Sequence, residues 1–231
     1  MALKPISRIA AGVQASTTLA IDSLFKQMKA EGKDVVGFGA GEPDFPTPEH
    51  IKQAGIEAIE NNQTKYTPAA GLMDLRKAAC YRLKEDCGLD YEPTQIVVAS
   101  GAKHSVYIAL MALCNPGDVV LLPDPCYPVF MTGSKLGGAA PWYYKLTKEN
   151  HFLPDVTAIP EEVARKAKFM LVSLPANPVG SVGTPELYAE IVNFCRTYDI
   201  LLVHDNAYSD IIFDGVHGGS IFNTPGAEDC A

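Results

Sequence analysis

Ile200-Leu201-Leu202-Val203-His204-Asp205-Asn206-Ala207-Tyr208 is the stretch on which the reading of this chain turns. A short apolar run bounded by turn residues reads as a buried strand of a parallel sheet. An acid follows it at once, and a phenol stands three residues further on. In open α/β sheets ligands bind just beyond the carboxyl ends of the strands, so Asp205 and Tyr208 occupy a favoured place for chemistry. An acid there can hold a proton on a heterocyclic nitrogen, and a phenol can donate to an oxygen on the same ring. That pairing suits pyridoxal phosphate, whose pyridinium wants an anion and whose phenolic oxygen wants a donor. The acid has a plainer reading too, as the cap of a following helix.

Upstream the same alternation repeats. Strands are expected at Gln95–Ala99, Val119–Leu122, Trp142–Tyr144, Phe169–Ser173 and Ile200–His204. Helices are expected at Lys103–Leu113, Val129–Leu136 and Pro185–Tyr198 between them. Strands alternating with helices of this length give βαβ units and a mostly parallel sheet with helices on both faces. Ahead of this region lie predicted helices at Thr18–Ala30, from Thr47-Pro48-Glu49 to Asn61, and at Leu72–Lys84, with a short strand at Asp34–Val36. Gly37-Phe38-Gly39-Ala40-Gly41 resembles a dinucleotide fingerprint only superficially. Its glycine spacing differs, and Pro43 and Pro46 follow where a helix should begin.

The composition excludes several classes of function. The 231 residues are 47% hydrophobic and 20% charged, enough apolar material for a sizeable core. A net charge of −8 without a basic cluster argues against nucleic acid. The six cysteines show no C-x-x-C pair or metal-ligand spacing and read as reduced, mostly buried thiols, so no metal is expected. The N-terminal residues lack a signal-peptide core, and no stretch approaches a membrane span. A cytoplasmic location follows as the expectation, with no membrane partner.

Three more loops follow strands as the Asp205 loop does. Ser100-Gly101-Ala102-Lys103 opens a helix on small residues, where free backbone N–H groups can take an anion, or it is simply a tight turn. Tyr127, in Pro123-Asp124-Pro125-Cys126-Tyr127-Pro128, offers an aromatic face either to a ligand or to the core. Asn177, held between Pro175 and Pro178, is either a placed amide or a turn initiator. Each bland reading stands alone, but together they leave unexplained why anion site, aromatic, amide, acid and phenol follow successive strands of one sheet.

Several segments carry a family resemblance. Gly39-Ala40-Gly41-Glu42-Pro43-Asp44-Phe45, Thr64-Lys65-Tyr66-Thr67-Pro68-Ala69-Ala70-Gly71, Asn115-Pro116-Gly117-Asp118, Asn177-Pro178-Val179-Gly180 and Asp205-Asn206-Ala207-Tyr208 together resemble class I/II aminotransferases. These are fold-type I pyridoxal-phosphate enzymes, and the likeness is to the aspartate and LL-diaminopimelate aminotransferase branch. The resemblance implies the large domain of that fold, incomplete, over 46–231, preceded by 1–45 as part of the small domain and dimer contact with a substrate loop. It implies Asp205 at the pyridinium nitrogen, Tyr208 and Asn177 at the ring oxygen, and Tyr127 stacked on the ring. Ala102 and Lys103 are implied to give N–H groups to the phosphate, Tyr66 to reach the neighbouring subunit's cofactor, and Gly41 to meet the substrate carboxylate. Two departures, Val179 for a common threonine and Tyr127 for a common tryptophan, bear on the substrate rather than on the cofactor.

In the family a Ser-x-Ser-Lys segment just beyond residue 231 supplies the Schiff-base lysine, and a later arginine binds the substrate α-carboxylate. No catalytic residue of that kind is therefore expected within the 231 residues, and the chain reads as an N-terminal part that does not transaminate by itself. The parent is expected to be a homodimer moving an amino group between an amino acid and a 2-oxo acid. The rival readings are a carbon–sulfur lyase on the same fold and a non-catalytic fragment that binds cofactor or a partner.

Overall fold

The computed structural model describes residues 5–13, 16–39, 41 and 45–231. The chain divides into two compact units, Met1–Ala69 and Ala70–Ala231.

In the first unit, α1 (Arg8–Ala11) and α2 (Thr17–Ala30) start on serine caps: the Ser7 hydroxyl accepts from the Ala10 amide at 3.1 Å and that of Ser16 from the Leu19 amide at 3.3 Å. The third helix, α3 (Glu49–Glu60), begins directly after Pro48, as expected from the sequence. The strand expected at Asp34–Val36 does not form. Residues 33–38 carry no regular secondary structure, and Val36 is 77% exposed. A strand needs a neighbour, and among the described residues of this unit none offers one. The path instead lies against α2, so closely that a Cβ on Gly37 would stand 2.9 Å from the Phe25 ring.

The second unit opens with α4 (Met73–Cys87), which starts one residue later and ends three residues later than the sequence suggests. It stops where Gly88 adopts φ +68° and its amide bonds to the Lys84 carbonyl at 2.9 Å. The strand expected at Gln95–Ala99 is also absent. A 3₁₀ turn at Pro93–Gln95 leads into extended chain tied by a bond from the Val98 amide to the Ala70 carbonyl, 3.0 Å, and no ladder forms along it among the described residues.

From Ala102 onward the alternation is realised. The order is α5 (Ala102–Leu113), β1 (Val119–Asp124), α6 (Pro128–Leu136), β2 (Ala140–Lys145), α7 (Glu161–Ala164), β3 (Ala167–Ser173), α8 (Pro185–Tyr198) and β4 (Leu201–Asp205). The four strands form one parallel sheet in the order β2-β1-β3-β4. Side chains alternate across a strand, so each contributes to two cores. Leu121, Met170, Val172 and Leu202 meet Leu187, Ile191 and Cys195 of α8 on one face. Val120, Leu122, Phe169 and Leu171 meet Val106 and Leu110 of α5 and Phe130 of α6 on the other. Burial on both faces is why these strands read as unbroken apolar runs. Tyr144 is enclosed in the first core and donates its hydroxyl proton to the Leu171 carbonyl at 2.6 Å.

Candidate active site

Because the strands are parallel, their carboxyl ends lie at one edge of the sheet, and the loops that follow them share that edge. Ser173 and Asp205 are register partners at the ends of β3 and β4. The Leu174 amide extends the ladder by one bond, to the Asp205 carbonyl at 3.3 Å. Adjacent strands stand about 4.8 Å apart, so side chains a few residues beyond their ends can meet. Asn177 and Tyr208 do: the amide Nδ2 donates to the phenolic oxygen at 3.3 Å. That contact spans 31 positions of sequence.

Asp205 sits beside this pair as the last residue of β4. Burial raises its carboxyl above the ordinary carboxylate range, and a hydrogen bond from the Ala207 backbone partly offsets the rise. No helix follows it, since residues 207–210 form a turn. The reading of Asp205 as a helix cap is therefore removed. A half-buried acid whose charge is disfavoured by burial is suited to receive a cationic group from a ligand.

Tyr127 is the residue before α6, directly beyond the end of β1, where Pro128 starts the helix. Its ring meets Phe130 edge-on, with centroids 5.8 Å apart and planes at 85°, so it packs and keeps part of its surface open. Neighbouring Cys126 is held as a thiol, its pKa pushed up to about 11 by burial and then by the Asp124 charge. Asp124 itself pairs with Lys145 at the end of β2.

Ala102 and Lys103 form the first turn of α5, behind Gly101 at φ +86° and ψ 164°. No side chain caps this end. The amides of His104 and Ser105 fold back onto the Gly101 carbonyl at 3.0 and 3.2 Å. Those of Ala102 and Lys103 have no carbonyl a turn earlier to bond, so they face outward with the positive end of the helix dipole.

Gly41 and Tyr66 belong to the first unit, where both are exposed and a Cβ on Gly41 would meet nothing within 4 Å. Ala40 and residues 42–44 of the Gly39–Phe45 segment lie outside the described residues. Of the lysines at this end of the sheet, Lys103 lies in the first turn of α5 and Lys145 pairs with Asp124 on β2, three strands from β4.

Two histidines at this edge were not singled out by the sequence. His104 accepts the Ser100 amide on Nδ1 at 3.2 Å and steadies the loop before α5. His204, inside β4, bonds to the Leu174 carbonyl through Nε2 at 2.8 Å. A polar residue near the end of an otherwise apolar strand was the available signal for His204.

The parallel sheet thus gathers an acid, a phenol and an amide past its carboxyl edge. The class I and II aminotransferase family model matches residues 33–224, and the chain belongs to that family. It is 43% identical over 205 residues to LL-diaminopimelate aminotransferase 2 of Trichormus variabilis, covering 87% of this chain and 53% of the relative. It is 37% identical over 200 residues to the aspartate aminotransferase of Bacillus subtilis, covering 87% and 51%. The aspartate aminotransferase of Thermus thermophilus solved with maleate superimposes with a TM-score of 0.89 at 29% identity, over 97% of this chain and 58% of that one. The fold is thus that of fold-type I aminotransferases, and the chain spans about half the length of the curated relatives it matches.

Proposed function

We propose that this chain is the cofactor-binding part of a pyridoxal-phosphate-dependent aminotransferase that moves an amino group from aspartate, LL-diaminopimelate or a similar amino acid to a 2-oxo acid. The observation that carries the reading is the bond between Asn177 and Tyr208 beside the half-buried Asp205 at paired strand ends. These residues suit the cofactor's chemistry. Asp205 is an anion in want of a cation, Tyr208 keeps its own O–H as a donor while accepting from Asn177, and the outward amides of Ala102 and Lys103 suit a phosphate.

When bound, pyridoxal phosphate supplies an electron sink for the carbanion formed at the amino acid's α-carbon. The chain's part is to bind and orient it. Asp205 holds the proton on the ring nitrogen, and each unit by which it raises that pKa is worth about 1.4 kcal/mol of preference for the protonated form. Tyr208 donates to the ring oxygen, with Asn177 fixing the phenol. Tyr127, with part of its ring surface open, would pack against the cofactor ring. Gly41 offers backbone to the substrate carboxylate, and Tyr66 serves the cofactor of a second subunit, so the working assembly is a homodimer, placed in the cytoplasm. The amine that transamination needs is assigned to a Ser-x-Ser-Lys segment in the part of the relatives' length that this chain does not span. On this division, 1–45 contributes to the small domain and the dimer contact, and 46–231 to the large domain.

The relatives' names, LL-diaminopimelate aminotransferase and aspartate aminotransferase, support both substrates and a place in amino-acid biosynthesis. Product analysis of the full-length protein tests the reading. Aspartate or LL-diaminopimelate with a 2-oxo acid should yield a new amino acid in equal amount, whereas ammonia and pyruvate from a sulfur-bearing substrate would make it a lyase. Asp205→Ala should lower kcat by about 10²–10⁴, from the roughly 3–5 kcal/mol that breaking a buried ion pair costs. Retention of more than half the activity would remove Asp205 from the cofactor site, and a monomer by light scattering would remove Tyr66.

A further inference from the structure

His204 stands one residue before Asp205 and therefore points to the opposite face of the sheet. Its ring is held from three sides. Nε2 lies 2.8 Å from the Leu174 carbonyl, the Ile221 amide approaches Nδ1 at 3.4 Å, and the Tyr188 ring of α8 sits 5.5 Å away at 60°. Tyr188 continues the set by donating its hydroxyl proton to the Gly218 carbonyl at 3.0 Å. A carbonyl can only accept and an amide N–H can only donate, so these neighbours select one form of the ring: neutral, with the proton on Nε2 and Nδ1 bare. Burial acts in the same direction, lowering the ring's pKa against the partial support of Leu174.

The Leu174 peptide is the hinge point of the site. Its amide reaches Asp205 and its carbonyl reaches His204, so both polar groups are committed to β4. Leu174 itself is 1% exposed, which leaves water no access to satisfy that carbonyl. Three residues later the chain presents Asn177 to Tyr208. On the other side, Ile221 opens the 3₁₀ turn Ile221–Asn223, which the Ser220 and Asn223 side chains cap reciprocally.

We propose that His204 is a positioning residue: by bonding Leu174 with one ring nitrogen and Ile221 with the other, it fixes the path out of β3 and so the meeting of Asn177 with Tyr208 beside Asp205. The cofactor consequence rests on the function proposed above, whereas the geometric claim does not depend on it.

The test uses the protein with uniformly ¹⁵N-labelled histidine and asparagine, and pyridoxal phosphate itself as the probe. The His204 ring should show a protonated Nε2 and a bare Nδ1, and the Asn177 side-chain amide should give shifted, slowly exchanging signals. His204→Gln keeps an amide donor near the Nε2 position and should hold the cofactor within about threefold of the parent. His204→Phe keeps the ring's bulk without its nitrogens. It should weaken cofactor binding about tenfold or more, at the lower end of what an orphaned buried acceptor costs, and release the Asn177 signals. Should the Phe variant fail to fold, His204→Asn replaces it, since its shorter amide reaches only the Nδ1 side and the same loss is expected. A proton found on Nδ1, Asn177 signals unchanged in the Phe or Asn variant, or a Gln variant no better than these would overturn the proposal. If the parent protein binds no pyridoxal phosphate, the cofactor reading fails alone, and the tautomer and the Asn177 signals still decide the role of His204.

Discussion

Replacing Gly101 with alanine probes the loop ahead of α5 with little else disturbed. Gly101 holds φ +86° and ψ 164°, a region that only glycine visits freely. A Cβ built there meets nothing within 4 Å, so the cost is torsional and not steric. Residues forced into such conformations pay about 1–3 kcal/mol. For a chain of this length that should lower Tm by roughly 2–12 °C, at about 2–4 °C per kcal/mol. The chain can escape the strain only by rotating the peptide, and that would break the bonds of His104 and Ser105 to the Gly101 carbonyl at 3.0 and 3.2 Å. Such a rotation re-aims the amides of Ala102 and Lys103, so relief of the strain should show as a loss of affinity for pyridoxal phosphate, and retained strain as a loss of Tm. Scanning calorimetry and equilibrium dialysis with the cofactor read the two effects separately. A Tm within about 2 °C of the parent's together with unchanged affinity, a limit set at the low end of that torsional cost, would refute both the strain and the phosphate role.

Other expectations follow from single groups. Asp205→Asn should stabilise the cofactor-free protein at neutral pH: burial raises the native carboxyl pKa, so the native state binds more protons than the unfolded one and loses stability as pH rises through and above the ordinary carboxylate range. The Asn variant should lack that loss in melts from acid to neutral pH, and a steeper loss would reverse the assignment. Tyr144→Phe deletes the buried bond to the Leu171 carbonyl and should cost about 1 kcal/mol in urea denaturation with an unchanged m-value. Ile191→Ala, in the fully buried centre of α8, should cost about 2–5 kcal/mol by the same measurement, and a value below 1 kcal/mol would mean the α8 face is loosely packed.

Local chemistry was enough to place β1, β3 and β4, because burial on both faces leaves an apolar run that can be read directly. It was enough for α8 as well, where Thr184 caps the helix by accepting from the Leu187 amide at 3.3 Å and Pro185 starts it. The order of motifs pointed to the family on similar grounds. It misjudged Asp34–Val36 and Gln95–Ala99, whose residues favour extended chain as much as those of β2 do. What separates them is a partner: Trp142 stands opposite Leu121 in the ladder, while Val97 remains 67% exposed with no strand beside it among the described residues.

The site divides in the same way. Residue type and position after a strand marked Asp205, Tyr208, Asn177 and Tyr127 as candidates, since those are properties of a few adjacent residues. Whether Asp205 capped a helix or faced an open edge depended on what the chain did after Asn206, and it made a turn. That Asn177 should bond to Tyr208, and that His204 should reach Leu174 and Ile221, depended on β3 lying beside β4 in one register. Hydrogen bonding and apolar spacing along the chain are short-range and survive translation into a string of residues. The order β2-β1-β3-β4 is set by how two cores fill at once, a condition on residues far apart in sequence that only the packed molecule satisfies.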